Sequence, residues 1–257
     1  NLLRLQIENE YSYKNETKIG SANLSFNNFK SIINYKKNKN LFQFNYFDKK
    51  DDQKFLYNGE LFFKPFYSNL KGNTDELNIF YLLNSNSIIP QLLKTEIFNN
   101  KNISFNLNLN AKKILNYSSF VNILLNLKIQ EGLIDIDDTE FNWKNRANFR
   151  LFESLIYIKD GELILDANTQ IKIINNLEIY KFLQSPKNLR KKIKKIDLNF
   201  IFNFDQKIIN INDIRIDGKS NQKVAEILRN ISIKNDDLQN KIYLKNLLNE
   251  ALKNHLG

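Results

Sequence analysis

From Ile196 to Asp205 the chain alternates residue by residue: Ile196, Leu198, Phe200, Phe202 and Phe204 share one parity, and Asp197, Asn199, Ile201, Asn203 and Asp205 the other. Successive side chains of an extended strand point to opposite faces, so a period of two sets an apolar row against a mainly polar one. A helix would scatter both rows around its axis. The pattern recurs at Leu3, Leu5 and Ile7, and in "LFQFNYF" (Leu41–Phe47) with Phe42, Phe44 and Tyr46 in phase. It returns in "NISFNLNLN" (Asn102–Asn110) with Ile103, Phe105, Leu107 and Leu109, and after Phe120 with Val121, Ile123, Leu125, Leu127 and Ile129. Such a chain folds as sheet, and something must cover its one-sided apolar surface.

Turn chemistry divides the strands. Asn58-Gly59 predicts a tight hairpin turn inside "KFLYNGELFF" (Lys54–Phe63), because both residues tolerate left-handed backbone. Pro65, with no N–H to donate, ends that ladder. Gly132 predicts a turn and Lys159-Asp160-Gly161 a bulged one. After Asp205 the apolar positions run Ile209 and Ile211, then change phase to Ile214 and Ile216, predicting a bulge near Asn212-Asp213. Helical spacing is confined to Ile88–Leu93 with Pro90 in its first turn, to Asn175–Gln184, and to a further turn that Ser185 caps and Pro186 opens. From Asn221 the pattern stays helical through Val224, Ile227, Leu228, Leu238, Ile242, Leu244, Leu247, Leu248, Ala251 and Leu252, with Asp236 or Asp237 as cap.

Burying the five apolar side chains of the strand from Ile196 contributes on the order of 10 kcal/mol, so the face does not stay wet. Three covers are open: a second sheet making a sandwich, helices on one face, or a sheet curled into a trough whose lining awaits a ligand. Mid-chain helices are too few for full helical cover. A trough implies an acyl chain, since a long non-directional apolar lining attracts hydrocarbon. The expected fold is mainly β: a long twisted, largely antiparallel sheet forming a curved groove, with a few short helices and a C-terminal helical pair. Residues 1–220 are read as the β-sheet groove domain and 221–257 as a C-terminal helical segment.

Chemistry is sparse. The absence of cysteine among the 257 residues removes disulfides, thiolate catalysis and Cys-ligated zinc. Asp135, Asp137, Asp138 and Glu140 are the concentrated carboxylates, but the glycine turn and closing glutamate of a twelve-residue calcium loop are missing, so they read as a solvated strand end. His255, the sole histidine, has no partner at recognisable spacing. With no phosphate-cradling loop or nucleophile elbow, the chain reads as a non-enzyme with no cofactor and no metal site. The formal net charge of +10 favours an anionic partner, although AT-rich coding DNA also enriches lysine. Lys187, Arg190, Lys191, Lys192, Lys194 and Lys195 form the strongest basic run, readable as a solvated helix end or as a binder of lipid headgroups or nucleic-acid phosphates. The phenylalanines group with Ile and Leu rather than with basic residues, which favours lipid over nucleic acid.

The segment from about Phe63 to Ile231 resembles the C-terminal region of the AsmA-like family of bacterial envelope proteins, related to the TamB group. The likeness lies in "LKIQEGLIDIDDTEFNWKN", "IYIKDGELILDANTQIKI", and the order strand pairs, short helix "LEIYKFLQSPKN", strand pair, "IRIDG". It implies a periplasmic β-rich body anchored in the inner membrane of a diderm bacterium by an N-terminal helix absent from this segment, which is read as cut from a longer protein. It also implies phospholipid movement through a β-sheet groove in support of outer-membrane assembly, with other envelope proteins as partners. The family has no signature active-site residues. The groove lining expected here is Phe105, Leu107, Leu109, Ile123, Leu125, Leu127, Leu198, Phe200, Phe202 and Phe204, with Lys191, Lys192 and Lys194 at headgroups. The competing expectation is a structural or scaffold β-sandwich of the envelope that carries no lipid.

Overall fold

The computed structural model describes residues 5–26, 29–50, 53–79, 91, 93–95, 98–229, 231–232 and 237–256. The strands of the N-terminal half are β1 (Leu5–Lys14), β2 (Thr17–Phe26), β3 (Phe29–Lys37), β4 (Leu41–Lys50), β5 (Gln53–Phe63), β6 (Phe66–Leu77), β7 (Ile103–Ile114) and β8 (Tyr117–Gln130). They are followed by β9 (Leu133–Asp135), β10 (Glu140–Trp143), β11 (Ala147–Lys159), β12 (Glu162–Ile173), β13 (Lys195–Asn203), β14 (Ile208–Ile216), β15 (Lys219–Ser220) and β16 (Ile231–Ser232). Three helices complete the described elements: α1 (Asn176–Leu183), α2 (Gln222–Ile227) and α3 (Asp237–Leu256).

The protein is mainly β, and its 16 described strands form one long mixed sheet. Neighbours follow chain order from β1 to β8 and from β10 to β15, while β9 bridges β8 and β11 and β16 pairs with β14. Every ladder is antiparallel except β6 with β7. Fourteen strands abreast at about 4.8 Å extend roughly 60 Å across the sheet.

Registers carry the alternation of single strands into continuous rows. One row runs Tyr11, Gly20, Tyr35, Phe44, Gly59, Leu70, Leu107 and Leu127, each opposite the next. On the other face Ser21, Asn34, Asn45, Asn58, Lys71, Asn108 and Asn126 pair in the same way. Farther along, Phe141 faces Phe149, Phe149 faces Ile171, and Ile171 faces Ile196. Apolar and aromatic side chains thus predominate on one face, and amides on the reverse, which also carries Ile32, Phe47 and Leu56.

Several local expectations change. Asn58 and Gly59 lie inside β5 rather than at a turn, paired with Asn45 and Phe44. The chain reverses at Lys64–Pro65, whose peptide is cis. Gly59 is needed for space: a Cβ there would lie 2.4 Å from Leu70 Cδ2 and 2.7 Å from the Asn69 carbonyl oxygen. At 159–162 both central residues, Asp160 and Gly161, have positive φ and Lys159 pairs directly with Glu162, so the hairpin is a two-residue turn without a bulge. The irregularity of β11 instead falls between Phe152 and Leu155, at Glu153 with φ 48°. In β8, Asn122 at φ 53° breaks the alternation, so Val121 pairs with Asn142 and Phe120 takes the place beside Trp143. The bulge expected near Asn212-Asp213 is present: Asn199 pairs with Asp213 and the next residue, Phe200, with Ile211.

The helices close one end of the apolar face. α1 begins where the Asn175 side chain accepts from Glu178 N–H and stops where Gln184 turns left-handed. The expected turn after Ser185 is a three-residue 3-10 helix, Lys187–Leu189; Ser185 does not cap it, its hydroxyl donating instead to Asn249 Oδ1 at 2.5 Å. α2 is capped by Asn221, whose side chain accepts from Val224 N–H at 3.1 Å. Val224, Ala225, Leu228 and Ala251 share a buried cluster with Ile211, Ile214 and Ile216 of β14. On α3, Tyr243, Leu247, Ala251 and Leu252 face the buried cluster, whereas Ile242, Leu244 and Leu248 stay exposed. Of the helix expected at Ile88–Leu93 only Gln91 and Leu93 are described, both helical; its remainder, and the cap expected at Asp236 or Asp237, lie outside the described residues and side chains.

Candidate functional site

The two faces of the sheet are enclosed to different extents. Ile33 is half-buried while its neighbour Ile32 on the opposite face is exposed; Phe44 is half-buried while Phe47 is exposed. Tyr35, Phe42, Tyr46, Tyr57, Leu61 and Leu70 follow the half-buried pattern. No second sheet of described residues accounts for the difference, since all the strands belong to one ladder. The bulges in β8, β11 and β14 add local twist to the sheet.

Of the expected lining, Leu107 pairs with Leu127 and Leu109 with Leu125 across β7 and β8, while Phe105 pairs with Ile129 and Ile123 with Ala111. Leu198, Phe200 and Phe202 lie on the same side of β13, opposite Ile214, Ile211 and Ile209. Phe204 lies beyond the end of β13, its ring 4.6 Å from that of Phe202. The set divides by depth: Leu109 at 6%, Ile123 at 6% and Phe204 at 3% exposure are buried, whereas the other seven are half-buried. Helices reach farther over this end than the sequence implies, for Leu198 and Phe200 touch the cluster that α2 and α3 cover. Leu93 and Phe98, from the stretch before β7, pack on the neighbouring cluster of Ile129, Ile134 and Leu151, and Lys94 pairs with Asp205 at 2.6 Å.

The reading of single strands did not include in the lining the aromatic rows of β3 to β5 or the glycines under them. A Cβ on Gly20 would lie 2.6 Å from the Tyr35 ring, and one on Gly72 2.5 Å from that of Tyr57. Glycine in a strand opposite an aromatic is the sequence signal for this close approach. Ser68, opposite Leu61 and Phe105, is fully buried with no hydrogen-bond partner for its hydroxyl among the described residues.

The reverse face is built for water. Asn108 donates to Asn126 at 2.6 Å, Asn199 to Asn168 at 3.0 Å and Asn212 to Asn199 at 2.9 Å, tying side-chain amides across the strands. A depression of about 760 Å³ on this side of β2 to β6 has a mixed lining, with Asn34, Asn45, Asn58 and Glu60 beside Ile19 and Phe44.

The carboxylates are engaged in shaping the chain. Asp135 Oδ1 accepts from Asp137 N–H at 2.8 Å, Asp137 Oδ1 from Ser154 N–H at 2.6 Å, and Arg150 binds Asp138 at 2.5 Å and Glu140 at 3.5 Å. The Asp138 partnership holds the Arg150 guanidinium above its ordinary pKa. Lys191, Lys192 and Lys194 are exposed on the segment that leads from the 3-10 helix into β13. The segment is tied down by its backbone: the Lys191 carbonyl accepts from the Tyr180 hydroxyl, and Asp217 accepts from the N–H groups of Lys194 and Lys195, both at 2.8 Å. The three ammonium-bearing residues thus stand at the helix-covered end of the sheet. Among the described residues no helix is long and apolar enough to cross a membrane.

Comparison with known proteins brings out no matching family model, no matching curated protein and no matching solved structure.

Proposed function

We propose that this chain is a non-enzymatic envelope protein whose sheet shields or conducts phospholipid acyl chains along its apolar face. The observation that carries the reading is the half-buried apolar face of a single sheet, continuous through β2 to β13, with no second sheet of described residues against it. Hydrocarbon is the ligand such a surface selects, because burial of apolar area is non-directional and needs no matching donors. A leaflet's hydrocarbon is about 15 Å thick, so a face roughly 60 Å across accommodates several chains. The AsmA-like resemblance supplies the setting: movement of phospholipid between inner and outer membranes of a diderm bacterium, with an inner-membrane anchor and envelope partners. The scaffold alternative, a dry sandwich, has less support, because it calls for a second sheet.

Protein extracted from envelopes in mild detergent and sprayed intact is expected to carry phospholipid in its native mass spectrum. Leu107→Asp, which places a charge at the middle of the face, should reduce the bound lipid about tenfold or more without unfolding the sheet. Lipid-free spectra from wild-type protein, or equal loading of wild type and variant, would contradict the reading.

A further inference from the structure

A separate space lies between the apolar face of β10 to β14 and helices α1, α2 and α3. It measures about 270 Å³, and its walls include Trp143, Phe149, Ile171, Ile193, Val224 and Ala251. The polar groups that line it are turned to other work. The Asn176 side chain makes two hydrogen bonds with the backbone of Ile193, both 2.9 Å, and the Tyr180 hydroxyl donates to the Lys191 carbonyl. His255 Nδ1 lies 3.2 Å from Asn221 Nδ2. A space lined this way favours apolar guests, as a smaller engineered cavity of about 150 Å³ takes benzene.

Size restricts the guest. At roughly 30 Å³ per methylene, close to one water's share of the liquid, the space holds one chain of about nine carbons and excludes a two-chain lipid. Charge restricts it further, for Ile193 enters the wall from between exposed Lys192 and Lys194, with exposed Lys191 next along the chain. The nearby Asp217 accepts from the N–H groups of Lys194 and Lys195 through Oδ1. We propose that this cavity binds a single medium-length saturated fatty carboxylate, its chain inside and its anionic end against the Lys191–Lys194 segment.

Trp143 is the sole tryptophan and borders the space, so its fluorescence reports occupancy directly. Fatty carboxylates brominated at the chain end should quench it saturably at one per chain. Affinity should rise roughly fourfold per added methylene up to about nine carbons and then level off. Neutral alcohols of equal length should bind several-fold more weakly, a preference that Lys191→Ala with Lys192→Ala removes. Ala251→Leu should abolish quenching while far-UV circular dichroism stays unchanged; the length series on wild-type protein decides the matter even if that variant misfolds. Leu107→Asp, remote on the sheet face, should leave quenching intact, so this site stands or falls apart from the proposal for the sheet. Quenching that never saturates, or affinity still climbing near sixteen carbons, would overturn the assignment.

Discussion

Gly59 shows how single residues shape the apolar face. The place of its missing side chain is filled by Leu70, and the Asn69 carbonyl oxygen closes the space from below. Gly59→Val should therefore cost about 2 kcal/mol or more through overpacking, read as a lower urea midpoint. The adjacent Asn58→Val, on the reverse face, should stay within about 0.5 kcal/mol; equal effects would mean that the close approach carries no stability. An Asn-Gly pair is a strong local signal for a turn, and reading it so placed the reversal wrongly. What decides between turn and strand is the partner: Phe44 opposite and Leu70 beyond use the room glycine leaves, and both are distant in sequence. Parity along β4, β7 and β13, by contrast, was legible because it depends only on neighbours in the chain.

Elements were readable where a change in the apolar spacing marks them, although the cap read at Ser185 was not one. α1 and α2 start at the side chains of Asn175 and Asn221 that accept from the first turn, and the slip from Ile211 to Ile214 gave away the bulge in β14. What α3 docks against was not readable, since an apolar stripe names no partner. It lies on α2 and α1, and His255 near its end is partly buried beside Asn221. Burial lowers the His255 pKa from its ordinary 6.5; Asp217 opposes the shift and Lys191 adds to it. A depressed folded-state pKa favours the neutral ring, so its contribution is complete above about pH 6.5 and is lost as the pH falls through the lowered value. Thermal melts should show wild-type protein losing stability on acidification through this range more steeply than His255→Gln. Parallel curves would remove His255 from the docking of α3.

At the scale of the whole molecule, alternation could not decide between one sheet and two, because a strand in a sandwich and a strand in an uncovered sheet carry the same period. The answer depends on pairing between residues far apart in sequence, such as the parallel ladder of β6 with β7, and on the unequal enclosure of Ile32 and Ile33. The apolar side of β7 and β8 was legible as a set of positions but not by depth, since Leu109 and Ile123 carry the same alternating signal as the half-buried Leu107 and Leu125. The claim that hydrocarbon chains lie along one side of this sheet is tested most directly by photocrosslinking in intact cells. A photoreactive residue would be placed in turn at Leu107, Asn108, Ile201 and Phe202, two neighbouring pairs whose members face opposite ways. Lipid adducts are expected from Leu107 and Phe202 and not from Asn108 or Ile201; adducts from none of the four, or equally from both faces, would contradict it.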